Sequence, residues 1–210
     1  MADTGWQSPG TMAVDTTIGS DNWTDPDNAK VSDDSNTIAS GFDGSHSYYL
    51  KATNFGFSIP SGATINGILI SIERFTNQSS GLTDYEIKIV KANGSIGTTN
   101  KSAGATWSTT ETYYEYGGSS DLWGETWGES DIEDVDFGVV LSTTFSVFEV
   151  ASVDHIRIKV YYTVASATNM KINIGDTFKE VPAMKINIGD TWKDVTAVKQ
   201  NIGDVWKDVF

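Results

Sequence analysis

The chain has 210 residues, 39% of them hydrophobic and 20% charged, so it can bury a core and is not disordered by composition. Acids outnumber bases 28 to 14, and the formal charge of −14 repels phosphate backbones, which argues against a nucleic-acid partner. Cysteine is absent and only two histidines occur, His46 and His155, which excludes disulfides, thiolate nucleophiles, zinc–thiolate sites and a histidine-rich metal centre.

From the first residue onward, MADTGWQSPGTMAVD offers neither a basic n-region nor an apolar h-region, so no signal peptide is expected. No apolar run approaches the roughly 18 residues of a membrane span, so no membrane partner is expected either. Residues 1–40 are polar, with Trp6 and Trp23 as their large apolar anchors, and read as an extended arm or long loops. Asp21, Asn22, Asp25, Asp27 and Asn28 make an oxygen-rich loop. Asp25 and Asp27 are its candidate Ca²⁺ ligands, since this cation takes about six to eight oxygens, and a solvated loop is the plainer alternative.

Residues 41–168 alternate in the manner of half-buried antiparallel strands. Tyr48-Tyr49-Leu50 reads as a first strand, and the turn Ser58–Ala63 leads into Ile65–Phe75, where Ile68, Ile70 and Ile72 share a face. Further strands are read at Tyr85, Ile87 and Ile89, and at Thr112–Tyr116. The last two are Val135, Phe137, Val139 and Leu141, then Ile156, Ile158, Val160 and Tyr162 alternating with Arg157, Lys159 and Thr163. Twenty glycines supply turns, and no segment sustains a 3.6-residue apolar period. The fold class is therefore all-β, with an antiparallel β-sandwich or jelly-roll body.

Trp107, Trp123 and Trp127, with the tyrosines of Thr112–Tyr116, concentrate aromatic area in one region. They can fill the core, meet another protein, or stack on a host glycan, and Leu122–Gly128 (LWGETWG) is the best single candidate for a surface contact. The acidic run from Glu125 to Asp136 is either a loop cation site or a solvated edge. No enzyme is expected. Abundant carboxylates single out no glycosidase pair, and His155 beside Asp154 lacks a Gly-x-Ser-x-Gly nucleophile, so both histidines read as surface residues. No cofactor is called for.

After the linker 165–169 the sequence repeats with period fourteen: MKINIGDTFKEVPA, MKINIGDTWKDVTA and VKQNIGDVWKDVF. Gly-Asp at Gly175, Gly189 and Gly203 suits two-residue hairpin turns, so residues 169–210 read as three short β-hairpins. That register sets Lys171 against Glu180, Lys185 against Asp194 and Lys199 against Asp208, each pair contributing roughly 0.2–1 kcal/mol. Lone hairpins are marginal in water. Phe178, Trp192 and Trp206, with Ile174, Ile188 and Ile202, are therefore the candidate assembly contacts.

Phe55–Arg74 (FGFSIPSGATINGILISIER), Leu122–Gly124, the ending VDHIRIKVYYTV and the NIGDTWK-type repeats together resemble β-rich virion proteins of tailed bacteriophages. The NIGD turn departs from the Gly-Gly turn more often found in such repeats. The resemblance implies a non-enzymatic virion structural protein of the head-decoration, tail or fibre class, made in the host cytoplasm. Its implied partners are other virion proteins and copies of itself in a trimer or ring. A lectin-like, receptor-binding module for host glycans is the alternative.

Overall fold

The computed structural model describes residues 1–79, 81–102 and 104–164 and, beyond them, the backbone of six short strands between 170 and 208. The chain forms two compact units, Met1–Val164 and Ala165–Phe210.

In the first unit the strands in chain order are β1 (Ala2–Asp3), β2 (Thr11–Asp15), β3 (Trp23–Thr24), β4 (Thr37–Gly41) and β5 (Tyr49–Thr53). They continue with β6 (Ala63–Thr76), β7 (Thr83–Val90), β8 (Thr112–Gly117), β9 (Gly138–Thr144) and β10 (Glu149–Val164). One sheet has the order β3-β4-β10-β6-β8, with β1 also on β10, and the other has the order β2-β5-β9-β7. Every pairing is antiparallel. Ile68, Ile70, Ile72, Ile156, Ile158 and Val160 of the first sheet and Leu50, Ala52, Ile87, Val139 and Leu141 of the second belong to one buried core. The unit is thus an all-β sandwich, and period-two alternation is what puts one face of each strand into it.

Three readings of the sequence need correction. Residues 1–40 are not an arm: β1 to β4 join both sheets, and Trp23 is only 1% exposed, its indole N–H donating to the Tyr48 carbonyl at 2.8 Å. A large indole with a backbone acceptor in reach gains more from burial than from solvent. Tyr85 does not share the face of Ile87, because a register shift between Asp84 and Glu86 turns it outward and turns Asp84 inward. Val135 precedes β9 and is 63% exposed.

The second unit contains β11 (Met170–Ile174), β12 (Thr177–Val181), β13 (Lys185–Ile188), β14 (Thr191–Asp194), β15 (Lys199–Ile202) and β16 (Val205–Asp208). They pair as β11-β12, β13-β14 and β15-β16, with Lys171 opposite Glu180, Lys185 opposite Asp194 and Lys199 opposite Asp208. The linker 165–169 and the Gly-Asp dipeptides lie outside the described residues. So do the side chains of Ile174, Phe178, Ile188, Trp192, Ile202 and Trp206.

Candidate functional site

The tryptophans singled out in the sequence are core residues. Trp107, Trp123 and Trp127 are 3%, 0% and 8% exposed. Their indole N–H groups donate to Asp84 Oδ1 at 2.8 Å, the Ile68 carbonyl at 3.0 Å and the Leu122 carbonyl at 2.9 Å. Expecting them as a surface contact for glycan or protein is therefore corrected: each polar edge finds an internal acceptor, so the rings are buried without loss. Trp127 still borders a small cleft of about 260 Å³ between Lys91–Asn93 and Glu125–Asp131, in which Lys91 and Glu125 stand 3.5 Å apart.

The acidic run is used locally. Glu129 accepts from Gly62 N and Glu133 from Ile59 N, both at 2.6 Å, and Asp131 accepts from Gly128 N at 2.8 Å, around a single helical turn at Glu129–Ile132. At the calcium candidates, Asp25 takes a left-handed backbone (φ 49°) before the 3-10 turn Pro26–Ala29, and Asp27 pairs with Lys30 at 2.7 Å. Among the described residues no group of three or more His, Asp or Glu side chains is placed to hold a metal ion.

A different surface gathers the groups suited to recognition. β10 sends Ile156, Ile158 and Val160 inward, so Arg157, Lys159 and Tyr161 fall on its outer side. The N-terminal segment lies alongside, with backbone hydrogen bonds in both directions between Gln7 and Ile158 at 2.9 and 3.0 Å. Trp6 is thereby laid over β10. The Arg157 guanidinium sits 4.5 Å from the Trp6 ring and 3.7 Å from the Tyr113 ring, held between them. Lys159 Nζ lies 4.7 Å from the Trp6 ring and 6.0 Å from that of Tyr161. Arg157 Nε donates to Ser71 Oγ at 3.3 Å, from the neighbouring strand β6.

The charge on this face is unusual for the chain. Lys30, Arg74, Lys88, Lys91 and Lys101 each have a carboxylate within 4 Å, and Lys51 donates to the Gly94 carbonyl. Arg157 and Lys159 have none among the described residues. Arg157's terminal nitrogens, the Lys159 ammonium, the Trp6 indole N–H and the Tyr161 hydroxyl are all donors without a protein acceptor there.

Beside this cationic strip lies a polar network. His155 Nε2 and Ser8 Oγ are 2.9 Å apart, and His155 Nδ1 and the Tyr113 hydroxyl are 3.0 Å apart. Burial, and then the Arg157 charge, push the His155 pKa down, so the imidazole is neutral at pH 7. His155 is 8% exposed, which corrects its reading as a surface residue; its two nitrogens are satisfied, so burial costs little. The Tyr113 hydroxyl, not a carboxylate, sits on Nδ1, so the Ser8–His155 pair lacks the orienting partner of a hydrolytic triad. His46 is half-buried, its Nδ1 3.0 Å from Thr144 Oγ1 and its ring stacked on Tyr85 at 3.7 Å.

Further along the same sheet the sign reverses. Burial, and then the negative charges of Asp154, Glu73 and Asp34, push the Glu111 carboxyl up. Burial likewise raises Asp154, against backbone N–H donors from Asp34 and Asp33. The face is thus polarised along its strands, cationic and aromatic toward Lys159 and acidic toward Glu111.

Sequence reasoning missed this surface because it needs Trp6 and β10, which are remote in the chain, to be adjacent. The available signal was the outward half of the final alternation, where Arg157, Lys159 and Tyr161 follow one another.

No protein-family model and no curated protein matches the chain. Among solved structures it is similar to the CBM22-1 xylan-binding domain from Paenibacillus barcinonensis Xyn10C, at 12% identity and a TM-score of 0.36, over 76% of this chain and 88% of that one.

Proposed function

We propose that this protein is a non-enzymatic adhesion component of a bacteriophage virion, in which the sandwich binds glycans and the repeats mediate assembly. What supports the binding reading is the outer face of β10: Trp6 and Tyr161 present half-buried rings whose polar edges have no protein acceptor among the described residues. Such rings stack on the apolar faces of sugars while their N–H and O–H groups meet hydroxyls. Trp6→Ala is expected to weaken retention on a binding polysaccharide about tenfold, equivalent to roughly 1.4 kcal/mol, with the far-UV spectrum unchanged. Affinity electrophoresis across a polysaccharide panel measures this. Unchanged retention of the variant on every polymer that holds the parent would remove Trp6 from the site.

The assembly reading is supported by the second unit, whose six described strands pair two by two. Two-stranded sheets of this length need a further surface to be stable. The full chain is expected to form a defined oligomer in light scattering, and a chain of residues 1–168 to be a folded monomer. Folded monomers in both cases would refute self-assembly through the repeats.

A further inference from the structure

We infer that the ligand of the β10 face is an acidic polysaccharide of sparse charge, a chain of mostly neutral sugars interrupted by uronic-acid residues. The inference rests on the glycan-binding reading above and adds the charge of the ligand. In a chain of net charge −14, most cations of the sandwich are spent on nearby carboxylates. Of the three that are not, Lys51 donates to the Gly94 carbonyl, and the other two, Arg157 and Lys159, stand on one strand and one side, about 6.6 Å apart along it. Arg157 is held in place before any ligand arrives: Trp6 and Tyr113 clamp its faces, and Ser71 Oγ accepts a hydrogen bond from its Nε. Only its terminal N–H groups remain to be satisfied, and these form the fork that fits a carboxylate. Such prior ordering lowers the entropic cost of binding.

The same charges limit how acidic the ligand is. Glu115 stands opposite Ser71 in β8, Glu73 stands opposite His155 in β6, and β1 brings Asp3 opposite Tyr161. All lie near the two cations, within reach of a charge screened over ~10 Å at 0.1 M salt. A polymer with a charge on every unit would place anions over these carboxylates as well as over the cations. A sparse polymer places one carboxylate on Arg157 and Lys159 and lays uncharged rings on Trp6 and Tyr161. Nucleic acid, charged at every nucleotide, is disfavoured for the same reason.

The test is affinity electrophoresis of the full chain in gels containing gellan or xanthan, which intersperse uronates among neutral sugars, each against its carboxyl-reduced counterpart. Polygalacturonate and single-stranded DNA serve as dense polyanions. At least one native polymer is expected to bind ten times more tightly than its reduced form, with the difference shrinking as salt is raised. Lys159→Gln and Arg157→Gln are expected to weaken that binding at least fivefold, toward the reduced-polymer value. Lys159 hydrogen-bonds no described residue, so its substitution gives the readout even if Arg157→Gln lowers the melting temperature. Equal retention of native and reduced polymers, weakened in both by Trp6→Ala, would overturn the charge inference and leave the glycan reading standing. Preferential binding of polygalacturonate or DNA would overturn the sparse-charge inference, and retention by no polymer would overturn both.

Discussion

Arg74→Ala is expected to destabilise the sandwich by about 3–5 kcal/mol, a large share of the roughly 5–15 kcal/mol that holds such a domain folded. Arg74 is 1% exposed and lies between the rings of Trp107, at 4.4 Å, and Tyr114, at 3.9 Å. Its Nη2 reaches Asp84 Oδ2 at 3.3 Å and its Nε donates to the Tyr116 hydroxyl at 3.1 Å. Asp84 also accepts from Trp107 Nε1 and from the Tyr116 hydroxyl, both at 2.8 Å. Removing the guanidinium strands this carboxylate in the core with no counter-charge, which costs far more than the intact pair contributes.

The loss is expected to depend on pH. Burial already pushes the Asp84 pKa up, and Arg74 is the largest influence pulling it down, so the variant raises it further. A carboxyl whose folded pKa exceeds its unfolded value binds more protons when folded, so lowering the pH through that folded value restores stability. The deficit of Arg74→Ala should therefore shrink between pH 7 and pH 4, and Arg74→Met combined with Asp84→Leu should recover much of it at pH 7. Urea unfolding followed by tryptophan fluorescence measures both. A single variant within 1 kcal/mol of the parent at pH 7 would show that the buried pair carries no such burden.

Gly138→Ala is expected to be comparably severe, at about 3 kcal/mol or more, above the usual range for overpacking. A β-carbon there would lie 1.9 Å from the Ala52 carbonyl oxygen and 3.0 Å from Thr53 Cα, both backbone atoms. β9 cannot retreat, because Gly138 is paired with Thr53 on one side and Val90 on the other. Gly118→Ala is the control, since a β-carbon there meets nothing within 4 Å and the backbone is not left-handed. It is expected to change stability by less than about 0.5 kcal/mol. Equal melting temperatures for the two variants would contradict the steric account.

Much of the sandwich was legible because alternation is a local signal. Ile68, Ile70 and Ile72 announce both a strand and its buried side, and all three are fully buried. Tyr85 was not legible, since the irregularity that turns it outward depends on pairing with β9, not on its neighbours in sequence. Trp107, Trp123 and Trp127 look the same in sequence whether buried or exposed, and what buries them is acceptors such as Asp84 and the Ile68 carbonyl, one of them 55 residues away. The β10 face was legible only in part: the row of Arg157, Lys159 and Tyr161 is in the sequence, but the clamp that Trp6 and Tyr113 form on Arg157 is made by the fold.

The pairing of β6 with β10 also constrains how the chain becomes folded. Ile72 meets Ile156 and Ala63 meets Val164, so the longest ladder of the sandwich joins segments made early and late. Closing so long a loop is slow, and until β10 arrives the isoleucine-rich strand β6 has an unpaired edge. A nascent chain that stalls before Glu149 therefore presents the most adhesive edge of the sandwich to its neighbours, and synthesis rate becomes a determinant of yield.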